Sequence, residues 1–125
     1  KYVSPSIISH YTKLVDVVPT AASLAKINYT NYTLGSNALD TVPKKHFAFI
    51  QQKINGEPAV GLLQDNFYYT MTNASNITSL YDLNNPERVD IKKNHPLVTQ
   101  QMDSLIRGYY QATKYLYYNN KKVKQ

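Results

Sequence analysis

Three histidines and eight carboxylates are the side chains of this chain that could do acid–base or metal chemistry. His10, His46 and His95 lie far apart and form no His-x-x-x-His or His-x-Asp spacing, the local patterns by which a metal site is usually recognised. The sequence therefore predicts that the histidines lie at strand edges or helix ends. A ligand or base assembled by the fold is the alternative.

The carboxylates have structural explanations as well. Asp65 belongs to a turn, Asp16 precedes a helix, and Glu87 and Asp90 fall in a polar connection. Acid–base catalysis needs a close carboxyl pair, and no such pair is indicated. The chain has no cysteine, no glycine-rich phosphate loop and no Gly-x-Ser-x-Gly motif. We predict no catalytic, cofactor-binding or metal-binding residue within these 125 residues.

Tyrosine is unusually frequent, with 12 copies against no tryptophan. Tyr68 and Tyr69 are neighbours in a predicted hairpin, and others crowd the last predicted helix: Tyr109, Tyr110, Tyr115, Tyr117 and Tyr118. These rings suit packing with their hydroxyls in water, or a platform on which sugars stack. The alternative to an enzyme fragment is therefore a free-standing carbohydrate-binding or protein-interaction module that uses the Tyr-rich helix and the hairpin.

The net charge of +6 raises the possibility of nucleic-acid binding. The lysines, however, form small separate groups: Lys44 and Lys45, Lys92 and Lys93, and Lys121, Lys122 and Lys124, the last of which we expect in a frayed tail. The two arginines, Arg88 and Arg107, lie in different segments. A phosphate-reading surface concentrates such residues along one element, so we predict no nucleic-acid partner. No apolar run approaches the roughly 20 residues that span a bilayer.

The first part of the chain is predicted to change from an extended segment to a helix and then to a loop. Residues 7–18 are apolar and extended, and Pro19 fits the first turn of a helix over residues 19–26. Asp16 stands where a carboxylate favours a helix start. The expected apolar stripe of this helix is Ala21, Leu24, Ala25 and Ile27. Residues 27–40 are rich in Asn, Thr and Ser and should form a loop.

The middle of the chain predicts a four-stranded antiparallel meander. Alternation over residues 46–54 indicates a strand that ends at Asn55-Gly56, a strong turn dipeptide. Asp65-Asn66 separates two apolar runs that should pair as a hairpin, and residues 79–83 supply the last strand.

From His95 onward, apolar residues recur at helical spacing and predict a helix of about 24 residues. Its expected apolar face consists of Val98, Met102, Leu105, Tyr109, Ala112 and Leu116. Such a face needs a partner, and the sheet is the obvious one. The predicted fold class is α+β, with the long C-terminal helix across the sheet and the short helix near the N-terminus.

Three stretches together resemble the C-terminal part of the sulfatase branch of the alkaline phosphatase superfamily. The first is "YTKLVDVVPTAASLAKI", matched at Asp16, Pro19, Thr20 and Leu24; the second is "YTLGSNALD", matched at Gly35 and Leu39. The third is "SLYDLNNPERVD", matched at Leu80, Tyr81, Asp82, Leu83, Pro86 and Glu87. Two departures are Asn85-Pro86 in place of the usual Asp-Pro, and Asp90 near the place of a common Asn.

The resemblance implies that residues 1–125 are a single C-terminal subdomain cut from a larger metal-dependent enzyme. The family's nucleophile and its divalent metal (Ca, Mg, Mn or Zn) are held by segments upstream of this stretch, so the fragment alone would be inactive. Its partner would be the missing N-terminal catalytic domain of the same chain.

Within the superfamily, "DVVPTAASL" and "TLGSNAL" are similar to the lipoteichoic acid synthase and phosphoglycerol transferase group. That likeness implies a bacterial parent anchored by membrane helices, with this piece outside the cytoplasmic membrane. The parent would be a sulfuric ester hydrolase or a phosphoglycerol- or phosphoethanolamine-type transferase.

Overall fold

The computed structural model describes residue 7, residues 9–40 and residues 46–119. Its elements, in chain order, are a 3₁₀ turn (Leu14–Asp16), helix α1 (Val17–Ala25), strands β1 (Phe47–Ile54), β2 (Glu57–Gln64), β3 (Phe67–Thr72) and β4 (Thr78–Asp82), and helix α2 (Pro96–Asn119). The predicted α+β class is confirmed. The lysines predicted to form a frayed tail, Lys121, Lys122 and Lys124, lie outside the described residues.

The four strands form one antiparallel sheet in the order β1-β2-β3-β4. The β1–β2 turn has positive φ at Asn55 (51°) and Gly56 (83°), and the β2–β3 turn has positive φ at Asp65 (52°). These residue types tolerate the left-handed region, which is why the chain reverses at these points. The predicted meander and hairpin are confirmed, with β4 beginning one residue earlier than expected.

One face of the sheet forms the core. Val60, Leu62, Tyr69 and Leu80 are each at most 1% exposed, and Met102 and Ile106 of α2 pack against them. Burying an aliphatic or aromatic side chain of this kind contributes about 1.5–3 kcal/mol relative to leaving it in water. This layer therefore supplies much of the stabilisation that holds α2 on the sheet.

Helix α2 matches its prediction closely. It begins at Pro96, whose missing N–H is harmless in a first turn, and it runs for 24 residues. Val98, Met102 and Leu105 of the predicted apolar face pack in or against the core. Tyr109 contacts β1, with its ring centroid 5.3 Å from that of Phe47 and 4.8 Å from that of Phe49.

The start of the chain differs from the prediction. Residues 7 and 9–13 are irregular, but the predicted extended segment does not reach residue 18, because Leu14–Asp16 form the 3₁₀ turn and helix α1 begins at Val17, two residues before Pro19. The 3₁₀ turn leads directly into the helix, and Pro19 is still within the first four positions, where a backbone N–H has no intrahelical partner. The helix ends at Ala25, and the C-cap residue Lys26 has a left-handed φ of 55°.

The predicted apolar stripe of α1 does not pack against the sheet. Leu24 is 49% exposed and Ile27 is 62% exposed. The loop that follows is irregular as expected, and Asn31 organises it by accepting hydrogen bonds from the backbone N–H and the hydroxyl of Thr33.

The connection between β4 and α2 runs beside the free edge of β4. Asp90 accepts a 3.1 Å hydrogen bond from the backbone N–H of Leu80, and the N–H of Ile91 donates to the carbonyl of Leu80 at 2.8 Å. Edge strands expose unpaired backbone groups, and this connection satisfies some of them. The stretch after β4 therefore packs as part of the sheet layer.

Candidate functional site

The structure brings two of the three histidines together. The rings of His10 and His46 stack with centroids 3.6 Å apart and an interplanar angle of 18°. His46 immediately precedes β1, as the strand-edge prediction expects, whereas His95 lies by Phe67, with centroids 5.6 Å apart. The His10–His46 contact joins distant segments and could not be read from local spacing.

The surroundings of the histidine pair bear on metal binding. Among the described residues, no three or more His, Asp or Glu side chains are grouped so that they could hold a metal ion. The buried Nε2 atom of His10 has no hydrogen-bond partner in that part of the chain.

Asp16 is a structural carboxylate that joins the two halves of the N-terminal segment. It is 5% exposed, and its two oxygens accept hydrogen bonds of 2.8 Å from the backbone N–H groups of Lys13 and Ser36. The ammonium group of Lys13 lies 3.8 Å from Asp16 and 4.5 Å from the centre of the Phe47 ring. The predicted role at the start of α1 is therefore corrected: Asp16 is the N-cap residue of α1, but its side chain accepts no hydrogen bond from that helix. It closes the 3₁₀ turn on Lys13 and holds the loop after α1.

Other carboxylates hold turns. Glu57 accepts hydrogen bonds from the backbone N–H groups of Ser75 and Ala74, which lower its pKa. Burial alone would raise the pKa of Asp90, but hydrogen bonds from the N–H groups of Leu80 and Lys92 lower it overall. Each of these carboxylates is engaged as a charged acceptor, not as a proton donor.

Tyr69, Asp103 and Arg107 form a chain of polar contacts between β3 and α2. The Tyr69 hydroxyl donates to Asp103 at 2.8 Å, and the Arg107 Nε donates to the other oxygen of Asp103 at 2.8 Å. Burial and the neighbouring carboxylate raise the pKa of Tyr69 to about 12. Burial would raise the pKa of Asp103, but Arg107 and Tyr69 lower it overall. The arrangement fixes the helix on the sheet.

The two hairpin tyrosines face opposite sides of the sheet. Tyr69 is 1% exposed in the core, so Tyr68 and Tyr69 cannot form one sugar platform. Successive side chains of a strand alternate between faces, and this rule could have separated them at the sequence level. Tyr68 instead faces Tyr81, its direct partner on β4, with ring centroids 6.2 Å apart and an interplanar angle of 29°.

A cleft lies on that second face, which we call the outer face of the sheet. Its volume is about 710 Å³, within the range of small-molecule sites. Tyr68, Tyr81 and Thr70 line it from the sheet, and the turn after β4 forms one wall with Asn85, Pro86 and Arg88. Sequence analysis placed Tyr81 and Pro86 only in a family motif and did not find this cleft.

The tyrosines of α2 separate into packed and exposed members. Tyr109 packs against β1, and burial together with the charge of Asp16 raises its pKa. Tyr115, Tyr117 and Tyr118 are 65%, 81% and 71% exposed. The end of α2 is therefore an open aromatic surface.

Apolar side chains are also exposed along the 3₁₀ turn and α1. We call this set the N-terminal apolar face: Leu14, Val17, Val18, Leu24 and Ile27. Leu14 is 89% exposed and Val18 is 60% exposed. Exposed apolar patches on one side of an element commonly mark an interface.

The described residues contain no helix that is long and apolar enough to cross a membrane.

Some of the positive charge is paired with nearby acceptors. The Lys92 ammonium donates a 2.8 Å hydrogen bond to the carbonyl of Thr78 and lies 3.7 Å from Asp90.

No family model matches the sequence, and no curated protein matches it. Among solved structures, the fold is similar to that of BT4656, a sulfatase-related protein, in complex with its substrate D-glucosamine-2-N,6-O-disulfate. The TM-score is 0.52 at 14% identity. The match covers 88% of this chain and 25% of that chain, so this sequence spans about a quarter of the neighbour's length. The two chains thus share a fold over most of the length of this one.

Proposed function

We propose that this chain is the non-catalytic C-terminal subdomain of a larger sulfatase-superfamily enzyme. The observation that carries the proposal is the fold similarity over 88% of the chain to one quarter of BT4656. The family motifs at residues 16–24, 35–39 and 80–87 support it independently of the fold. A second candidate, an interaction module, has the exposed tyrosines Tyr117 and Tyr118 in its favour.

The parent enzyme would cleave or transfer at a sulfate or phosphate ester. Its nucleophile and its divalent metal (Ca, Mg, Mn or Zn) would come from segments outside residues 1–125. BT4656 acts on a sulfated glucosamine, which favours a sulfuric ester. The motifs at residues 16–24 and 35–39 favour the lipoteichoic acid synthase and phosphoglycerol transferase group, with the parent anchored in the membrane and this subdomain on its outer side.

The subdomain would pack on the catalytic body through the N-terminal apolar face. Val17, Val18 and Leu24 are 58%, 60% and 49% exposed, and a helix with such a stripe gains stability by covering it. Docking on the catalytic body would remove these apolar side chains from water.

An assay of ester hydrolysis tests whether the subdomain is non-catalytic. The purified 125-residue chain, assayed with p-nitrophenyl sulfate and p-nitrophenyl phosphate in the presence of Ca, Mg, Mn or Zn, is expected to show no turnover. The full-length protein is expected to turn over one of them. Metal-dependent turnover by the chain alone would contradict the proposal.

The packing role is tested with the double variant Val18→Asp, Leu24→Asp. In the isolated chain we expect little change in Tm, because both side chains already face water. In the full-length protein we expect a lower Tm and faster release of this subdomain by limited proteolysis. The control, Gln111→Asp and Lys114→Asp, changes exposed polar positions of α2 and should leave both proteins unaffected. Equal Tm losses in the chain and the full-length protein would contradict the docking role.

A further inference from the structure

The outer-face cleft has the features of a ligand site. These features are not required for packing the core. Its floor is the Tyr68–Tyr81 pair, two rings directly opposite each other in the β3–β4 register and 29° from parallel. Rings in this arrangement present a broad apolar surface with hydroxyls at the edge. They lie on the side of the sheet away from α2 and are only partly buried.

Gly61 permits this arrangement. A Cβ atom at Gly61 would lie 2.7 Å from the Tyr68 ring, closer than such contacts allow. The Tyr68 ring therefore lies over the glycine, close to the sheet. The ring is held in place before any ligand arrives, which reduces the ordering cost of binding.

The wall of the cleft supplies polar groups. Asp82 accepts a hydrogen bond from the N–H of Asn84 at 2.8 Å, and the Asn85 side-chain oxygen accepts one from the N–H of Glu87 at 3.0 Å. These bonds orient the two side chains but leave the Asn85 amide nitrogen unpaired within the part of the chain that the structure describes. Arg88 likewise forms no ion pair with the described residues and lines the cleft.

We infer that this cleft binds a saccharide, one ring of which stacks on Tyr68 and Tyr81 while an anionic substituent pairs with Arg88. The carbon-bound hydrogens of a pyranose face suit an aromatic floor, and its hydroxyls suit Gln52, Asp82 and Asn85 at the edge. An unpaired guanidinium recognises planar or tetrahedral oxyanions, so the substituent is a sulfate or a carboxylate. This inference does not depend on the proposed function.

The alternatives fit the cleft less well. A peptide strand would pair with a free sheet edge, whereas the cleft lies on a sheet face whose wall is a turn. A purely apolar ligand would desolvate the Arg88 guanidinium, which has no ion-pair partner among the described residues. A saccharide is complementary to both the flat apolar floor and the polar wall.

Binding is tested by titrating the ¹⁵N-labelled 125-residue chain with three probes: a chondroitin sulfate hexasaccharide, its desulfated form, and neutral chitohexaose. We expect the resonances of Tyr68 and Tyr81 to shift, and the charged probes to bind more tightly than chitohexaose. Binding that survives desulfation assigns the substituent as a carboxylate, and binding that needs the sulfate assigns it as a sulfate. Absence of binding by all three at millimolar concentration overturns the inference.

Variants locate the site. Tyr81→Ala should weaken binding about tenfold, whereas Tyr81→Phe, which keeps the ring and the fold, should stay within about threefold. Arg88→Gln should reduce the affinity for the charged probes to that for chitohexaose and leave chitohexaose unaffected. Tyr118→Ala removes an exposed tyrosine elsewhere and serves as the matched control. Equal binding by Tyr81→Ala and the unchanged chain would place the ligand elsewhere and refute the inference.

Discussion

The hydroxyl of Tyr69 donates a 2.8 Å hydrogen bond to the carboxylate of Asp103. Tyr69 lies on an inner strand of the sheet and Asp103 on α2, so this bond joins the two layers of the fold across the buried core. Because the acceptor is charged, the bond is of the stronger kind. It also sets the direction of several predictions.

Tyr69→Phe should lower the free energy of unfolding by about 1.5–3 kcal/mol, the range for a hydrogen bond to a charged group. The ring and its packing are kept, so the loss reports the hydroxyl alone. Urea denaturation at neutral pH measures it. Tyr81→Phe, on the outer face, is the matched control and should stay within about 0.5 kcal/mol. An unchanged free energy of unfolding in Tyr69→Phe would mean that the hydrogen bond contributes nothing to stability.

Alkaline pH should destabilise the chain over a pH range that is determined by the pKa of Tyr69. Its pKa is about 12 in the folded state, against an ordinary tyrosine pKa of 10.0. A raised pKa means that the unfolded chain loses the proton first, so this stability is complete below pH 10 and is lost as the pH rises toward 12. Unfolding measured across this range should have a shallower pH dependence in Tyr69→Phe. An unchanged slope would show that Tyr69 does not titrate as described.

Acid should remove the stability that Asp103 contributes. Its pKa is lowered below the ordinary aspartate value of 3.8, so the contribution is present above that value and is lost as the pH falls through the folded-state pKa. Asp103→Asn should destabilise the chain at pH 7 and flatten the dependence below pH 4. The comparison is made with Asp65→Asn, a turn position where Asn also tolerates positive φ. Parallel acid profiles in Asp103→Asn and the unchanged chain would contradict this assignment.

Asp16→Asn should destabilise the N-terminal segment by about 1–3 kcal/mol, the cost of leaving a buried polar group without its partner. The amide offers one acceptor oxygen, whereas Asp16 uses two, for Lys13 and Ser36. The amide nitrogen would face a backbone N–H. Hydrogen exchange of the Ser36 amide should accelerate together with the loss of stability. Unchanged protection at Ser36 would mean that Asp16 does not hold the loop.

Two glycine substitutions should change the stability of the chain in opposite directions. Gly108→Ala should stabilise α2 by about 0.5–1 kcal/mol, because nothing lies within 4 Å of the new Cβ and alanine favours a helix. Gly35→Ala should destabilise by about 1–3 kcal/mol, because its Cβ would overlap the carbonyl oxygen of Val15. Thermal unfolding of both variants gives the comparison. A stabilising Gly35→Ala would show that the loop does not approach the 3₁₀ turn.

The parts of the fold that were predictable depend on local signals. Asp65 and Asn55-Gly56 mark the turns of the meander, and Pro96 marks the start of α2, each through its own backbone preference. The beginning of α1 was predicted two residues late, because Pro19 suits any of the first helical positions, not only the first. Local chemistry thus located the elements to within a residue or two.

The contacts that define the candidate sites join distant parts of the chain and had no local signal. His10 meets His46 across α1 and a long loop, and Asp16 meets Ser36 in the same way. The outer-face cleft depends on the β3–β4 register that sets Tyr68 opposite Tyr81. That register follows once the strands are known. The strands were predicted, but the side of the sheet on which each side chain lies was not.

The strands occupy the sheet in the order in which they occur in the chain. Each new strand closes only a short loop onto its predecessor, which keeps the entropy cost of every pairing low. Low contact order of this kind is associated with fast folding. The meander is therefore suited to form early during synthesis, before α2 leaves the ribosome and seals its apolar side.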